Sequence, residues 1–439
     1  MNYLDRLNRA VPGGCHTYSK GSDQFPDSAP EILKSGKGCE VFDSEENRLI
    51  DYGMGLRSVI IGYANREVCE AAFEGSMLGN NLTKPSIVEL EAAEKMIDLI
   101  PSAEMVKFAK NGSNVTTAAI KVARAYTGKK YVARCRQHPF FSFDDWFIGT
   151  TPLKKGVPEE HASLTLMFDY GDISSLEMLF EEKDIACVIM EPTTGQDPRK
   201  NIGGTESKCF LKEVRQLCDK KNSLMILDEM ITGFRYDLKG AGSYFDVDPD
   251  MSTFGKAMAN GFSVAALTGK KEIMSVGSTD TSGSERTFLL SSTHGAEISS
   301  LAAFLKTVEI MEREKVISSI WKTGREIMDF ANLEAESLGI KKIFNFSGFP
   351  CSPNFSTTNE SGDSDLFLRT FFQEKMLENG IMMPYTAISH AHREEQILEK
   401  TKAALRNTLR EIKIVLESGT GFDKALHGHS IKPVFRKFN

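Results

Sequence analysis

The sequence predicts an α/β protein, a mainly parallel sheet with helices on both faces, joined by a smaller α+β lobe from the N- and C-terminal segments. Three observations carry this expectation. From about residue 65 to 310, short apolar runs alternate with helical periodicity, the pattern of strands covered by helices on both sides. Residues 1–60 and 330–439 mix glycine turns and short β-patterned runs with longer helices. A chain of 439 residues is also long enough for more than one folding unit.

The elements follow in order. Residues 1–60 form the N-terminal segment of the small lobe, with β patterns at 39–42 and 48–52. Residues 61–329 form the large domain. Its strand candidates are 105–109, 131–134, 164–168, 186–190 and 224–227. Each is short and largely apolar, as expected of strands buried on both faces. After the first, Val115, Ala118, Ala119, Val122, Ala123 and Tyr126 make a helical i, i+3, i+4, i+7 stripe. A long helical stretch over 298–338 leads into the C-terminal domain, 330–439. That domain holds a strand candidate at 342–346 and helix candidates at 363–379 and 394–416. The basic tail, with Lys432, Arg436 and Lys437, reads as a solvated terminus.

Composition narrows the function classes. With 53 Lys+Arg against 60 Asp+Glu the net charge is −7, which leaves no general nucleic-acid footprint. A hydrophobic fraction of 41% with 26% charged residues excludes a disordered or fibrous chain. No apolar run reaches the roughly 20 residues of a membrane span, and the first ten residues lack the apolar core of a signal peptide. Eight scattered cysteines without CxxC pairs fit reduced thiols in a cytoplasmic protein.

Ligands of open parallel sheets bind beyond the C-terminal strand ends, so the residues after each apolar run matter most. After 105–109 comes Lys110-Asn111-Gly112-Ser113-Asn114 and then a helix, a turn whose free N–H groups and dipole favour a phosphate. A plain N-cap at Ser113 or Asn114 is the structural alternative. Glu191 follows 186–190, and Asp228 and Glu229 follow 224–227. A carboxylate there is partly desolvated and needs a cationic or hydrogen-bonding partner, which a protonated heterocycle, an arginine or a helix N-terminus supplies. Lys256 stands among small and apolar residues, with Gly255 before it and Gly261 beyond. Low hydration lowers a lysine pKa and suits a Schiff-base amine.

A phosphate-cradling turn, a strand-end acid and a glycine-flanked lysine are the ordered set that pyridoxal phosphate requires. With these residues the chain resembles the fold-type I, class III aminotransferases, and most closely their glutamate-1-semialdehyde 2,1-aminomutase branch. The resemblance covers nearly the whole length. It runs from Pro12-Gly13-Gly14 through Asp51-Tyr52-Gly53-Met54-Gly55 to Ile226-Leu227-Asp228-Glu229-Met230-Ile231-Thr232-Gly233-Phe234-Arg235 and Phe254-Gly255-Lys256. It implies a seven-stranded-type central sheet and pyridoxal 5'-phosphate as cofactor. Lys256 would hold that cofactor covalently and transfer protons, and Asp228 would pair with its ring nitrogen. Gly112, Ser113 and Asn114 would hold its phosphate. Thr293 would reach the phosphate of a neighbouring subunit, which implies a homodimer with shared active sites. Glu191 matches the family's strand-end Glu near substrate.

Departures from the family pattern bear on the substrate. The usual Tyr-His-Gly segment is absent. Counting back from Asp145-Trp146 puts Phe140 at the position that stacks on the cofactor, whereas counting from Cys135 puts Gln137 there with His138 beside it. A ring is what the cofactor face needs, which favours Phe140. The aminomutase branch's substrate-carboxylate Arg falls at Lys20, and its Ser-Trp pair is replaced by Gly55-Leu56. Lys cannot reproduce a bidentate Arg fork, so Arg57 is a candidate for that role, with Lys20, His16, Tyr18 and His138 shaping the substrate pocket. His390 and His392 read as structural or rim residues.

The expected reaction moves an amino group between an amino donor and a small aldehyde or keto acceptor, with amino-sugar or surface-polysaccharide precursors as one placement. An intramolecular 2,1-aminomutase is the alternative, and a non-catalytic protein on the same fold is a remote one. A nicotinamide enzyme is disfavoured because Gly240-Ala241-Gly242 lacks the third glycine of the fingerprint. No metal site is expected.

Overall fold

The computed structural model describes residues 2–193, 195–200, 209–280, 286–288 and 290–433, so Arg436 and Lys437 of the tail lie outside the described residues. The chain divides into two compact units, residues 66–317 and residues 1–65 with 318–439. In chain order the strands are β1 (Leu33–Lys37), β2 (Glu40–Asp43), β3 (Arg48–Asp51), β4 (Met105–Ala109), β5 (Tyr131–Cys135), β6 (Thr165–Phe168) and β7 (Ile185–Met190). They continue with β8 (Leu224–Asp228), β9 (Met251–Phe254), β10 (Ala265–Gly269), β11 (Phe344–Phe349), β12 (Ser352–Thr357) and β13 (Ile381–Met382).

The larger unit is built on a seven-stranded sheet in the order β4-β10-β9-β8-β7-β5-β6. β9, β8, β7, β5 and β6 pair in parallel, and β10 alone runs against both of its neighbours. All five expected strands are present, joined by β9 and β10. Every residue of β7 and β8 is buried, which is why both read as unbroken apolar runs rather than alternating ones. The helix Gly112–Thr127 buries Val115, Ala118, Ala119, Val122 and Ala123, the stripe read from the sequence, whereas Tyr126 at its far end is exposed.

The smaller unit carries the four-stranded sheet β1-β2-β3-β13 and the hairpin β11-β12. β3 and β13 are parallel, with Ile381 opposite Ile50 and Met382 opposite Asp51. The helices Leu366–Glu378 and Glu395–Ser418 complete the unit, and Phe344, Phe346, Phe355 and Phe372 form an aromatic cluster beneath the hairpin. The expected single helical stretch over 298–338 is instead two helices, Ile298–Arg313 and Val316–Ser337. Lys315 between them takes φ +50°, a left-handed turn that an α-helix cannot absorb. Among the described residues no helix is long and apolar enough to cross a membrane, and all eight cysteines are free thiols.

Candidate active site

Four strands of the larger sheet deliver the chemistry. β4, β7, β8 and β9 point the same way, so the turns after them open at one edge of the sheet. These turns carry Gly112 and Ser113, Glu191, Asp228, and Lys256. Asp228 is the register partner of Thr253 on β9, which sets Lys256 three residues beyond the strand position facing the acid.

Asp228 is 2% exposed. Its Oδ1 accepts the Met230 N–H at 3.0 Å and the Thr253 hydroxyl at 3.1 Å, and no hydrogen bond among the described residues reaches Oδ2. Burial pushes the acid up to about 6, opposed by the Met230 N–H, the positive charge of Lys256 and the Thr253 hydroxyl. A buried carboxylate with one oxygen unclaimed is matched to an incoming cationic N–H donor. Its neighbour Glu229 has a different task. It accepts the N–H groups of Ala241 and Gly242 and, more weakly, the Thr232 hydroxyl, and so pins the turn that precedes the short helix Ala241–Tyr244. Burial lifts Glu229 to about 7.

Lys256 begins a 3-10 turn, Lys256–Ala259, directly after β9 and is half-buried. Its φ is +46°, in the left-handed region that costs a side-chain-bearing residue about 1–2 kcal/mol. Strain of this kind persists where the surroundings over-determine a side chain's position.

The turn after β4 is capped by Asn111, whose Oδ1 accepts the Asn114 N–H at 3.1 Å. The cap is therefore neither Ser113 nor Asn114. It also takes the Asn114 N–H, so the backbone donors left for an anion lie at Gly112 and Ser113. Ser113 is buried, and its Oγ accepts the Phe143 N–H at 3.2 Å. A residue that the sequence did not single out joins this turn to the lysine. Met230 packs so closely that a Cβ at Gly112 would stand 2.9 Å from its Sδ, and a Cβ at Gly255 2.7 Å. Both turns thus close around one thioether, which a side chain at either glycine would push aside. The unclaimed Oδ2 of Asp228, the two backbone donors and this glycine-lined approach fit a flat, phosphate-bearing, cationic heterocycle.

The segment between β5 and Trp146 lies against the same turn, because Thr116 Oγ1 donates to the Phe141 carbonyl at 2.9 Å. His138 is 1% exposed, and its Nδ1 accepts the Glu191 N–H at 2.9 Å, so the two expected substrate residues meet. Burial holds the His138 ring down to about 3, which makes it neutral with the proton on Nε2. Gln137 is engaged elsewhere, donating to Asp169 and accepting the Tyr170 N–H. Phe140 is 51% exposed, with its ring edge-on to Phe147 at 5.6 Å, and Phe143 is 59% exposed. Two open rings therefore flank the turn, and the sequence pointed to one.

Thr293 is exposed, on the turn that leads into the helix Ile298–Arg313. That turn is clasped to the turn after β4 of its own chain by an ion pair between Lys110 and Glu297, whose other oxygen meets His294 Nδ1 at 3.1 Å. Lys20 and Arg57 belong to the smaller unit. Lys20 is exposed at the end of the turn Tyr18–Lys20, and the Arg57 guanidinium lies 4.2 Å from the centre of the Tyr385 ring. His392 is buried, stacked on Tyr52 at 4.3 Å and capped by Ser389, and His390 is buried beside it.

Residues 22–387 match the family model described as aminotransferase class-III. The chain is 32% identical to a 3-aminobutyryl-CoA aminotransferase of Cloacimonas acidaminovorans over 95% of this chain and 98% of that protein. It is 30% identical to a glutamate-1-semialdehyde 2,1-aminomutase of Francisella philomiragia, over 89% and 93% of the two chains. Among solved structures, an omega-transaminase from Sphaerobacter thermophilus superimposes with a TM-score of 0.81 at 21% identity, covering 93% and 96% of the two chains. A glutamate-1-semialdehyde-aminomutase from Pseudomonas aeruginosa does so with 0.79 at 17%, covering 93% and 94%.

Proposed function

Since the chain belongs to the class III aminotransferases, enzymes that work with pyridoxal 5'-phosphate, we propose that it moves an amino group between an amino donor and a small aldehyde or keto acceptor. The observation that carries this reading is Asp228, buried, held through one oxygen, and facing β9 three residues short of Lys256. When bound, the cofactor supplies an electron-withdrawing ring that makes a substrate C–H acidic.

The protein's residues do the rest. With the cofactor bound, Asp228 Oδ2 would accept the ring N–H and keep that nitrogen charged. Lys256 Nζ would hold its aldehyde carbon and, as a free neutral amine, would take the proton from the substrate carbon and deliver it to a neighbouring carbon. Gly112 and Ser113 bind the phosphate through their N–H groups, with Asn114 beside them, and the clasp between Lys110 and Glu297 steadies this turn. Phe140, exposed beside the turn, would cover one face of the ring. Glu191 and His138, joined by their hydrogen bond, would line the substrate side, and the resemblance alone assigns Lys20 and Arg57 to its anionic end.

A homodimer with shared active sites completes the reading, with Thr293 reaching the partner's phosphate. Phe73, Met77, Ile87 and Leu90, each more than half exposed on the helices Arg66–Met77 and Ile87–Leu99, give a second copy an apolar face to cover. Eight unpaired thiols favour the cytoplasm. Lys20 and Gly55-Leu56, in place of the aminomutase branch's Arg and Ser-Trp, argue against glutamate-1-semialdehyde as the substrate, and analogy with relatives places the acceptor among amino-sugar and surface-polysaccharide precursors. The 30% identity to aminomutases keeps an intramolecular transfer as the second reading.

The test is spectroscopic. Purified protein is expected to show the visible cofactor band, which Lys256→Ala abolishes. Amino donors then convert the band to the amine form with release of a keto product. Conversion coupled only to substrate isomerisation identifies the mutase. A chain that binds no chromophore refutes both.

A further inference from the structure

The smaller unit holds a second cationic cluster of which the reading above uses one member. Because β3 and β13 run in parallel, the segments after their C-terminal ends emerge side by side. The first segment ends in Arg57. Four consecutive residues, Met54, Gly55, Leu56 and Arg57, have positive φ of 42°, 56°, 59° and 66°, a left-handed turn in which three members carry side chains. Such a turn costs each of those three about 1–2 kcal/mol and survives only when it is over-determined. Here Asp51 fixes it, accepting the Gly53 N–H at 2.6 Å, the Met54 N–H at 3.1 Å and the Tyr63 hydroxyl at 2.6 Å. Ser58 Oγ closes it on the Gly55 carbonyl at 2.7 Å. The product of this strain is a guanidinium stacked on Tyr385.

The helix Leu366–Glu378 brings a second guanidinium to the neighbouring residue. Arg369 donates to the Pro384 carbonyl at 2.9 Å and to the Phe355 carbonyl at 3.4 Å, with the Phe355 ring 4.3 Å beneath it. Two arginines therefore bracket consecutive residues, Pro384 and Tyr385. Among the described residues no carboxylate pairs with Arg369. The acids closest in sequence are committed, Asp51 to the turn and Asp365 to the Leu368 N–H at 3.0 Å. Burial and then the charge of Arg57 push Arg369 down to about 10, as expected for like charges sharing a poorly hydrated place. Arg369 Nη1 and Nη2 each spend one N–H on these carbonyls and each carry a second in-plane N–H, the geometry that oxyanions fit.

We propose that Arg57 and Arg369 form one subsite for a doubly charged oxyanion, the dicarboxylate or phosphomonoester arm of the substrate. One guanidinium matches one carboxylate charge, and the second calls for another. This deepens the assignment of Arg57 to substrate and rests on that reading.

The test is calorimetric titration of the cofactor-loaded protein, whose phosphate turn is already filled, with malonate, inorganic phosphate and acetate at constant ionic strength. Wild type is expected to bind malonate or phosphate at least about tenfold more tightly than acetate, a gap of ~1.4 kcal/mol. Whichever dianion binds better identifies the arm. Arg369→Met and Arg57→Met each remove the preference while leaving the visible cofactor band unchanged. If Arg369→Met does not fold, Arg369→Lys, which keeps the charge and loses the fork, must still reduce the preference. Equal affinity for the three anions in wild type, or a preference that survives both Met variants, overturns the subsite. Loss of the cofactor band from wild type instead overturns the proposed function, so the two failures are distinguishable.

Discussion

In the cofactor-free chain Asp228 works against stability, and removing its charge exposes the size of that effect. The carboxyl rises from an ordinary value of 3.8 to about 6, mainly through burial. The folded chain therefore holds the proton more tightly than the unfolded one, and stability falls as pH climbs from about 4 through about 6. At ~1.4 kcal/mol for each tenfold change in proton affinity, the penalty is about 1.5 kcal/mol at pH 5 and about 3 kcal/mol at pH 7.5. Asp228→Asn keeps a carbonyl oxygen for the Met230 N–H and the Thr253 hydroxyl but carries no charge. The cofactor-free variant is expected to exceed wild type in urea unfolding, followed by circular dichroism, by about 3 kcal/mol at pH 7.5 and about half that at pH 5. Adding pyridoxal phosphate should narrow or reverse the gap, because only the native carboxylate gains a cationic partner, and amino transfer should slow by orders of magnitude. A gap that is absent, or that does not grow between the two pH values, refutes the electrostatic account. Near-normal turnover in the variant refutes the role of the charge in catalysis.

Other perturbations read the rest of the site. Gly255→Ala drives a Cβ into Met230 Sδ and is expected to weaken cofactor binding about tenfold; Met230→Val should restore it, as read by titrating the visible band. Asn111→Ala removes the cap of the helix Gly112–Thr127 and should cost about 1 kcal/mol in thermal unfolding. Phe140→Ala should raise the cofactor dissociation constant by roughly three- to tenfold, the worth of an aromatic stack, whereas Phe143→Ala should not; the opposite order transfers the stacking role to Phe143. His138→Asn should leave the pH profile between 5 and 8 unchanged, since burial already holds His138 at about 3; a lost inflection in that range would show that His138 titrates there.

The parts of the fold that were legible are those where burial alone decides the sequence. β7 and β8 lie in the middle of the sheet with both faces covered, so their residues are apolar without interruption. β9 escaped notice because Ser252 and Thr253 interrupt it, although both are buried. Thr253 is polar there because its hydroxyl serves Asp228. β10 is composed of small residues, Ala-Ala-Leu-Thr-Gly, whose register against β4 and β9 is visible only once those strands are placed. The helix break near Lys315 left no mark in the apolar periodicity, which continues on both sides of it.

The site divides along the same line. Lys256 and Asp228 stood out as candidates because a charged residue among apolar ones needs a reason. Met230 was not, because a methionine beside an acid looks like core until the two glycines it touches are placed. Arg369 was hidden for a related cause. On a helix that also carries Gln373, Glu374 and Lys375 it reads as one more solvated polar residue, and only the return of β13 beside β3 brings it to Pro384. The left-handed turn from Met54 to Arg57 is the extreme case. Backbone dihedrals have no signature in side-chain pattern when three of four residues are not glycine. What the sequence did show was the anchor, Asp51, followed by two glycines within four residues. A short acid that accepts two backbone N–H groups and a tyrosine hydroxyl offsets strain that propensity would forbid. The turn thereby fixes where the Arg57 side chain leaves the backbone and brings its guanidinium to the Tyr385 ring.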